Sequence, residues 1–331
     1  MKTAKNMEPL QRVSYRQPCP ICGKPDWCGF NSKIAICMRV QSSYPVRNGG
    51  WLHKLKDSPV NTNESVVITD KSVPAAPVET KDRVYRDFMS FLTLSSEHQK
   101  ELSVNRRLPE RIIKQYFRST PKAERPWTIC KRLIDRGHSL EGVPGFYRVK
   151  NRKGGYYWTF SMKSGYVFPL LDGKGRIQAI QTRLDVPDTR GKYRLFSSSK
   201  KKSGSSSGAP VHVAKPDQLI DQKIWITEGP LKATIASQYL NATVLGLIGA
   251  TTWRPVLKIL ESYQVAEVIV AFDMDQKENV WVKRAVKELT QELKHGGNNV
   301  KIAAWNEPKG IDDALLANKE VFLKELSNER Y

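Results

Sequence analysis

Cysteine is scarce in this chain. There are 5 among 331 residues, and four of them crowd into residues 19–37. So sparse a set cannot staple a chain of this length, which argues against a disulfide scaffold. Long apolar runs are missing too. No stretch approaches the ~18 residues of a membrane span. The first 17 residues are polar and lack the apolar core of a signal peptide. The expectation is a protein that is neither membrane-spanning nor secreted. Acidic residues are in short supply: 33 Asp and Glu stand against 54 Lys and Arg, a formal net charge of +21. That excess points to a polyanionic partner, nucleic acid first. The length allows about two domains plus small modules, and a hydrophobic fraction of 40% suffices for a core.

Composition changes along the chain suggest four segments. Residues 1–56 contain a block rich in Cys, Gly and aromatics. Residues 57–81 are polar, with several prolines and no helical period, and read as a linker. Residues 82–215 begin helical: Val84, Phe88, Phe91 and Leu92 share one face. Pro109 opens a second helix with Ile112 and Ile113, and Ile129, Leu133 and Ile134 mark a third that stops at Gly137. From about 145 the pattern turns to aromatic and β-branched residues broken by glycines, with Asp172-Gly173 between two apolar runs. Antiparallel hairpins are expected there, followed by a Ser/Gly/Lys loop over 197–209. Residues 216–331 alternate strand and helix, with strands expected at 223–227, 243–248, 266–272 and 299–305. Val282, Ala285, Val286, Leu289 and Leu293 give the 281–294 helix one apolar face. Such alternation predicts an α/β fold with a parallel sheet.

The cysteines read as a metal site. Cys19-Pro-Ile-Cys22-Gly is a zinc-knuckle type of turn, in which two thiolates three apart grip one ion. If Asn31–Ile34 turns the chain, Cys28 and Cys37 meet across a hairpin and complete a four-thiolate Zn²⁺ site. The C-x2-C-x5-C-x8-C spacing lacks a second C-x2-C, so His53 stands as an alternative to Cys28. Cys130 lies on an apolar helical face and reads as core.

The acids form a second pattern. Glu228 follows the apolar run 224–227, Asp273 and Asp275 follow 268–272, and Asp312 and Asp313 follow the last strand. Strand ends line the ligand crevice of an open α/β sheet. Carboxylates ~4 Å apart repel by roughly 4 kcal/mol at an effective dielectric of 20, so a cluster implies a cation. Oxygen ligands select Mg²⁺ or Mn²⁺. Such ions hold triphosphate oxygens and stabilise in-line displacement.

Four motifs in sequence carry a resemblance. E-G-P-L-K-A over 228–233, L-G-L-I-G-A over 245–250, D-M-D over 273–275 and K-G-I-D-D-A-L over 309–315 resemble the Toprim domain of DnaG-type primases, topoisomerases and OLD-family nucleases. Asn105-Arg106-Arg107-Leu108-Pro109 is similar to the start of the primase catalytic core. Phe168–Ile177, Ala179–Arg183 and Lys192-Tyr193 are similar to its basic motifs. With the N-terminal cysteines, the chain resembles primases of phages, plasmids and other mobile elements. The resemblance implies a small zinc-binding β module (1–56), a linker (57–81), a basic α+β subdomain (82–215) and a Rossmann-like Toprim sheet (216–331). It implies a DNA primase that makes short RNA primers on single-stranded DNA from NTPs, in the cytoplasm of a bacterial or phage-infected cell. A replicative helicase would act in trans, since no helicase-binding segment follows the last motif.

On the same resemblance, Glu228, Asp273 and Asp275 are catalytic and hold Mg²⁺ or Mn²⁺ together with Asp312. Arg107, Arg176, Arg183, Lys192 and Lys232 contact template or nucleotide, with Arg106, Lys174 and Arg194 as further candidates. A Toprim nuclease and a non-catalytic DNA-binding adaptor are the alternatives. The nuclease would use the same carboxylates with water as nucleophile.

Overall fold

A computed structural model of the chain describes residues 10–40, 42, 44, 46, 50–55, 73–122, 124–189, 191–263, 265, 267–274 and 280–325. It divides into two compact units, residues 1–71 and 72–331.

The N-terminal unit is an antiparallel meander of β1 (Gln11–Arg12), β2 (Gly29–Phe30), β3 (Ile34–Cys37) and β4 (Trp51–Lys54), paired in chain order. Asn31 makes the turn between β2 and β3. Its Oδ1 accepts the amides of Lys33 and Ile34, each at 2.9 Å. The apolar core is small: Leu10, Ile34, Ile36 and Leu52 form one cluster, and Val13 packs with three of the cysteines.

The second unit opens with α1 (Val78–Ser90), four residues before the expected boundary, because Pro77 caps the helix and Glu79 sits in its first turn. Residues 57–72 of the linker expected over 57–81 lie outside the described residues, and 78–81 belong to α1. A short helix α2 (Ser96–Lys100), a π turn at Glu101–Asn105, α3 (Glu110–Tyr116) and α4 (Pro126–Asp135) follow. Gly137, at φ +83°, ends α4 as expected. Ile134 is 43% exposed rather than on the buried face; Ile129, Cys130 and Leu133 form that face. Burial pushes the Cys130 thiol up to about 12, consistent with a core residue.

A four-stranded antiparallel sheet runs in the order β10 (Gly191–Leu195), β9 (Ile177–Asp188), β8 (Gly165–Leu171), β5 (Arg118–Ser119). The turn between β8 and β9 spans five residues. Asp172 Oδ1 accepts the amides of Lys174 and Arg176, and the left-handed position is Gly175. A separate hairpin pairs β6 (Phe146–Lys150) with β7 (Tyr156–Phe160). Phe88, Phe146, Phe160 and Phe196 interlock in one aromatic core, with centroids 5.2–5.9 Å apart.

The last 115 or so residues, on the order of one ordinary domain, build a six-stranded sheet. Its order is β11 (His212–Ala214), β13 (Ala242–Leu247), β12 (Asp221–Glu228), β14 (Val268–Val270), β15 (Val300–Ala304), β16 (Phe322–Glu325). The four central strands are parallel and the two edges antiparallel. The two-residue period of a strand splits each one between two cores. Ile224, Ile226, Leu245, Leu247, Val268 and Val270 face α6 (Pro255–Leu260) and α7 (Val280–His295). Trp225, Val244 and Ile269 face α5 (Pro230–Leu240) and α8 (Ile311–Leu316). Helix α5 buries apolar residues on two sides: beyond the sheet-facing side, Leu231 and Ile235 pack with Tyr166, Phe168 and Ile113. One core therefore joins the antiparallel and parallel sheets. Among the described residues no helix is long and apolar enough to cross a membrane.

His212 ties these parts together. The Leu171 amide donates to its Nδ1 at 2.9 Å, so Nε2 carries the proton and donates to Thr234 Oγ1 at 3.1 Å. Full burial holds its pKa down at about 4 against an ordinary 6.5. Below pH 6.5 the unfolded chain takes a proton here that the folded chain refuses. Stability should therefore fall by roughly 3 kcal/mol as pH drops towards 4. His212→Asn keeps an acceptor for Leu171, so its denaturant midpoint should depend less on pH over that range. Equal pH dependence in both proteins would refute this assignment.

Candidate active site and thiol cluster

The strand order creates a crevice. From β12 the chain moves to β13 on one side, then crosses to β14 on the other. The carboxyl ends of β12 and β14 thus flank the switch point where ligands bind in open α/β sheets. Glu228 is the last residue of β12, and Asp273 lies three residues past β14. The Ala271 amide still bonds to Ile226 at 2.8 Å, so the segment leading to Asp273 stays in register with β12. Asp275 lies outside the described residues.

Helix α8 brings Asp312 to the same end of the sheet. The Met274 amide donates to the Lys309 carbonyl at 3.0 Å, joining the post-β14 loop to the segment that starts α8. Asp312 is 2% exposed, and among the described residues its Oδ1 has no hydrogen-bond partner. Burial first, then neighbouring Asp313, raise its carboxyl above the ordinary range; Lys232 and Arg106 pull it back. Gly310 permits this approach. A Cβ there would stand 2.6 Å from Asp312 Oδ1 and 3.1 Å from Lys232 Nζ.

Cations bracket the acids. Lys232, in the first turn of α5, bonds its ammonium to Asp273 Oδ1, and Lys309 Nζ lies 3.9 Å from Asp273 Oδ2. Arg106 reaches Asp312 at 3.4 Å and Asp313 at 3.3 Å. It also lies 3.5 Å from Glu101, whose carboxyl also pairs with Arg183 at 3.4 Å. Against the cost of burial, the Asn105 amide and these two guanidiniums hold Glu101 below the usual range. A buried, part-neutralised carboxylate with an oxygen left bare is chemically suited to a hard cation.

The structure sorts the basic candidates. Lys232 and Arg106 join the carboxylates. Arg183 stands behind Arg106 through Glu101, with its guanidinium 5.5 Å from the Tyr166 ring. Arg107, at φ +44°, turns its guanidinium to the Leu316 carbonyl at 3.0 Å, where it caps α8. Arg176 pairs with Asp172 at 2.7 Å and with Glu79. Arg194 pairs with Asp188. Lys192 is exposed on β10 and Lys174 in the β8–β9 turn. Sequence reasoning did not reach Glu101, Gly310 or Lys309 as parts of the site. K-G-I-D-D held the signal for the last two.

In the N-terminal unit the four thiols converge. The Sγ atoms of Cys19, Cys22, Cys28 and Cys37 all lie within 4.8 Å of one another. Cys28 Sγ donates to Cys37 Sγ at 3.9 Å. Met38 N–H points to Cys28 at 3.3 Å, and the amides of Arg39 and Val40 point to Cys37 at 3.4 and 3.2 Å. The Cys28 contact and these two amides hold Cys37 down at about 5, while Cys28 is pushed up. Amides aimed at clustered sulfurs fit a closed tetrahedral zinc site. His53 is not part of the cluster. It sits on β4, which among the described residues pairs with β3 alone, and its Nε2 lies 2.9 Å from the Val40 carbonyl.

Residues 217–321 match a family model described only as a domain of unknown function (DUF3854). A search of curated proteins finds no match. Solved structures do resemble the chain. The Aquifex aeolicus primase, comprising zinc-binding and RNA polymerase domains, aligns with a TM-score of 0.51 at 14% identity. The match covers 75% of this chain and 63% of that one. The RNA polymerase domain of Mycobacterium tuberculosis primase DnaG, solved with double-stranded DNA, gives 0.51 at 14% identity, covering 73% and 80%. The same domain solved alone gives 0.51 at 13%, covering 72% and 78%. The chain has the fold of the DnaG primase catalytic core.

Proposed function

We propose that this protein is a DnaG-type DNA primase of the kind carried by phages and other mobile elements, its parallel sheet being a Toprim domain. It would copy single-stranded DNA into short RNA primers. One observation carries the reading: Glu228 and Asp273 flank the switch-point crevice while α8 adds Asp312 with a buried, unpartnered oxygen. That constellation sits on a primase-core fold.

Glu228, Asp273, Asp275 and Asp312 would hold Mg²⁺ or Mn²⁺. Such an ion, when bound, supplies positive charge for triphosphate oxygens. The chain's own groups do the rest. Lys232, Lys309 and Arg106 stand within reach of the same carboxylates and offer charge to an incoming triphosphate. In the transfer, the primer 3′-hydroxyl oxygen bonds to the α-phosphorus, the bond to the β-phosphate oxygen breaks, and pyrophosphate leaves. Glu228, at the strand end, would take the hydroxyl proton. Arg183 positions Arg106 through Glu101. Lys192, Arg176 and Arg107 belong to the basic subdomain that would face the template. Cys19, Cys22, Cys28 and Cys37 would hold Zn²⁺, and that module would help select the start site.

The test is incubation of the protein with single-stranded DNA, labelled NTPs and Mg²⁺ or Mn²⁺. Primer-sized RNA products are expected. A shortened template would identify a nuclease instead. Retained DNA binding with neither product would identify an adaptor.

A further inference from the structure

The β6–β7 hairpin and the loop laid along it carry charge of one sign. Residues 146–163 hold five Lys and Arg and residues 197–209 hold three, and neither segment contains an Asp or Glu. Those eight charges are a large share of a net +21. One of the eight, Lys163, is paired with Asp188 at 2.7 Å.

The 197–209 loop is tied down. Ser198 Oγ donates to the Phe146 carbonyl at 2.7 Å and accepts the amides of Gly145 and Ser205, each at 3.1 Å. The Arg148 amide donates to the Lys202 carbonyl at 3.1 Å, so the lysine run is laid along the edge of β6. Cations then sit beside rings on both faces of the hairpin, Tyr156, Trp158 and Arg148 sharing one face and Tyr147 and Tyr157 the other. Lys201 Nζ lies 5.4 Å from the Tyr147 centroid, Lys202 Nζ 4.0 Å from that of Tyr156, and the Arg148 guanidinium 4.8 Å from Trp158. Tyr156 and Tyr157 remain 47% and 40% exposed.

We propose that this hairpin and loop form a docking surface for single-stranded DNA, built on a different sheet from the carboxylate crevice. The charge complements a phosphate backbone. Half-exposed rings, with cations beside Tyr147, Tyr156 and Trp158, suit unpaired bases, whereas a duplex hides its base faces. The choice of DNA rests on the template-copying reading above; the choice of a single strand rests on the rings.

The full chain is titrated with a labelled mixed-sequence oligodeoxynucleotide across a salt series. Lys200→Glu/Lys201→Glu/Lys202→Glu should weaken binding about tenfold or more. It should also lower the slope of log K against log salt by about 2, at roughly 0.7 per lost single-strand phosphate contact. Tyr156→Ala/Tyr157→Ala should weaken binding about tenfold with little change in slope. The triple Lys→Arg variant should bind like the parent, and unchanged thermal melts show that the variants fold. Parent-like binding by both altered proteins overturns the proposal. So does an inert tyrosine pair combined with a lysine variant that loses single strand and duplex equally. If the parent makes primers while the variants bind normally, this surface fails and the primase reading stands. If the variants lose DNA while the parent makes no product, the surface stands and the primase reading falls.

Discussion

Replacing Asp273 with alanine is expected to cut primer synthesis by about 10³-fold or more, equivalent to about 4 kcal/mol of transition-state stabilisation. The residue ends the segment that follows β14, at the switch point, and carries two lysines on its two oxygens. Removing it takes away a proposed cation ligand and leaves both ammonium groups without their counter-charge. DNA affinity should hold or rise slightly, because the variant loses a negative charge and frees Lys232. Its salt dependence should match the parent's. Asp273→Asn keeps the shape and discards the charge, and it should fail to the same degree. Primer assays beside oligonucleotide titrations decide the matter. A variant keeping more than a tenth of parental synthesis would remove Asp273 from the chemistry.

The second large effect concerns zinc. The N-terminal unit has one apolar cluster of four fully buried side chains and a second built around the cysteines. A core so small supplies at most about 3–5 kcal/mol. A closed thiolate site supplies about 10–16 kcal/mol of apparent binding energy. Chelation, or Cys28→Ser, should therefore unfold residues 10–55 while residues 73–325, with cores of their own, stay folded. Metal analysis should give about one zinc per parent chain. Amide spectra should show loss of dispersion confined to the first unit, and protease cleavage should concentrate there. His53→Ala should keep its zinc, since its ring bonds a carbonyl outside the thiol cluster. A parent without zinc, or a Cys28→Ser protein with intact dispersion, would refute this account.

Much of the architecture was legible before any coordinates. Strand-helix alternation after residue 220 is a strong signal because each buried strand is a dense apolar run. Observed strands 221–228, 242–247, 268–270 and 300–304 sit close to their expected positions. The Cys28–Cys37 hairpin was readable through Asn31, whose side chain accepts two amides within the turn. Periodicity failed at Ile134, which falls in the last turn of α4 and is exposed. The hairpin expected about Asp172-Gly173 is present: β8 pairs antiparallel with β9 through a five-residue turn that Asp172 organises. The site was legible wherever an acid ends a strand. The pairing of each acid was not. Arg106 and Asp312 are 206 positions apart, and nothing local says that they meet. Arg107 shows the converse. Beside Arg106 in sequence, it turns away at positive φ to cap a helix.

That 206-residue span has a consequence for synthesis of the protein. At about 5–20 residues per second, Arg106 leaves the ribosome roughly 10–40 s before Asp312 does. Until then Glu228 and Asp273 have no α8 beside them, and the guanidinium that will meet Asp312 has Glu101 as its carboxylate neighbour. An unfinished chain can fold the antiparallel sheet and its aromatic core, yet it cannot assemble the carboxylate crevice. Translation order would therefore delay the complete crevice until α8 has been made.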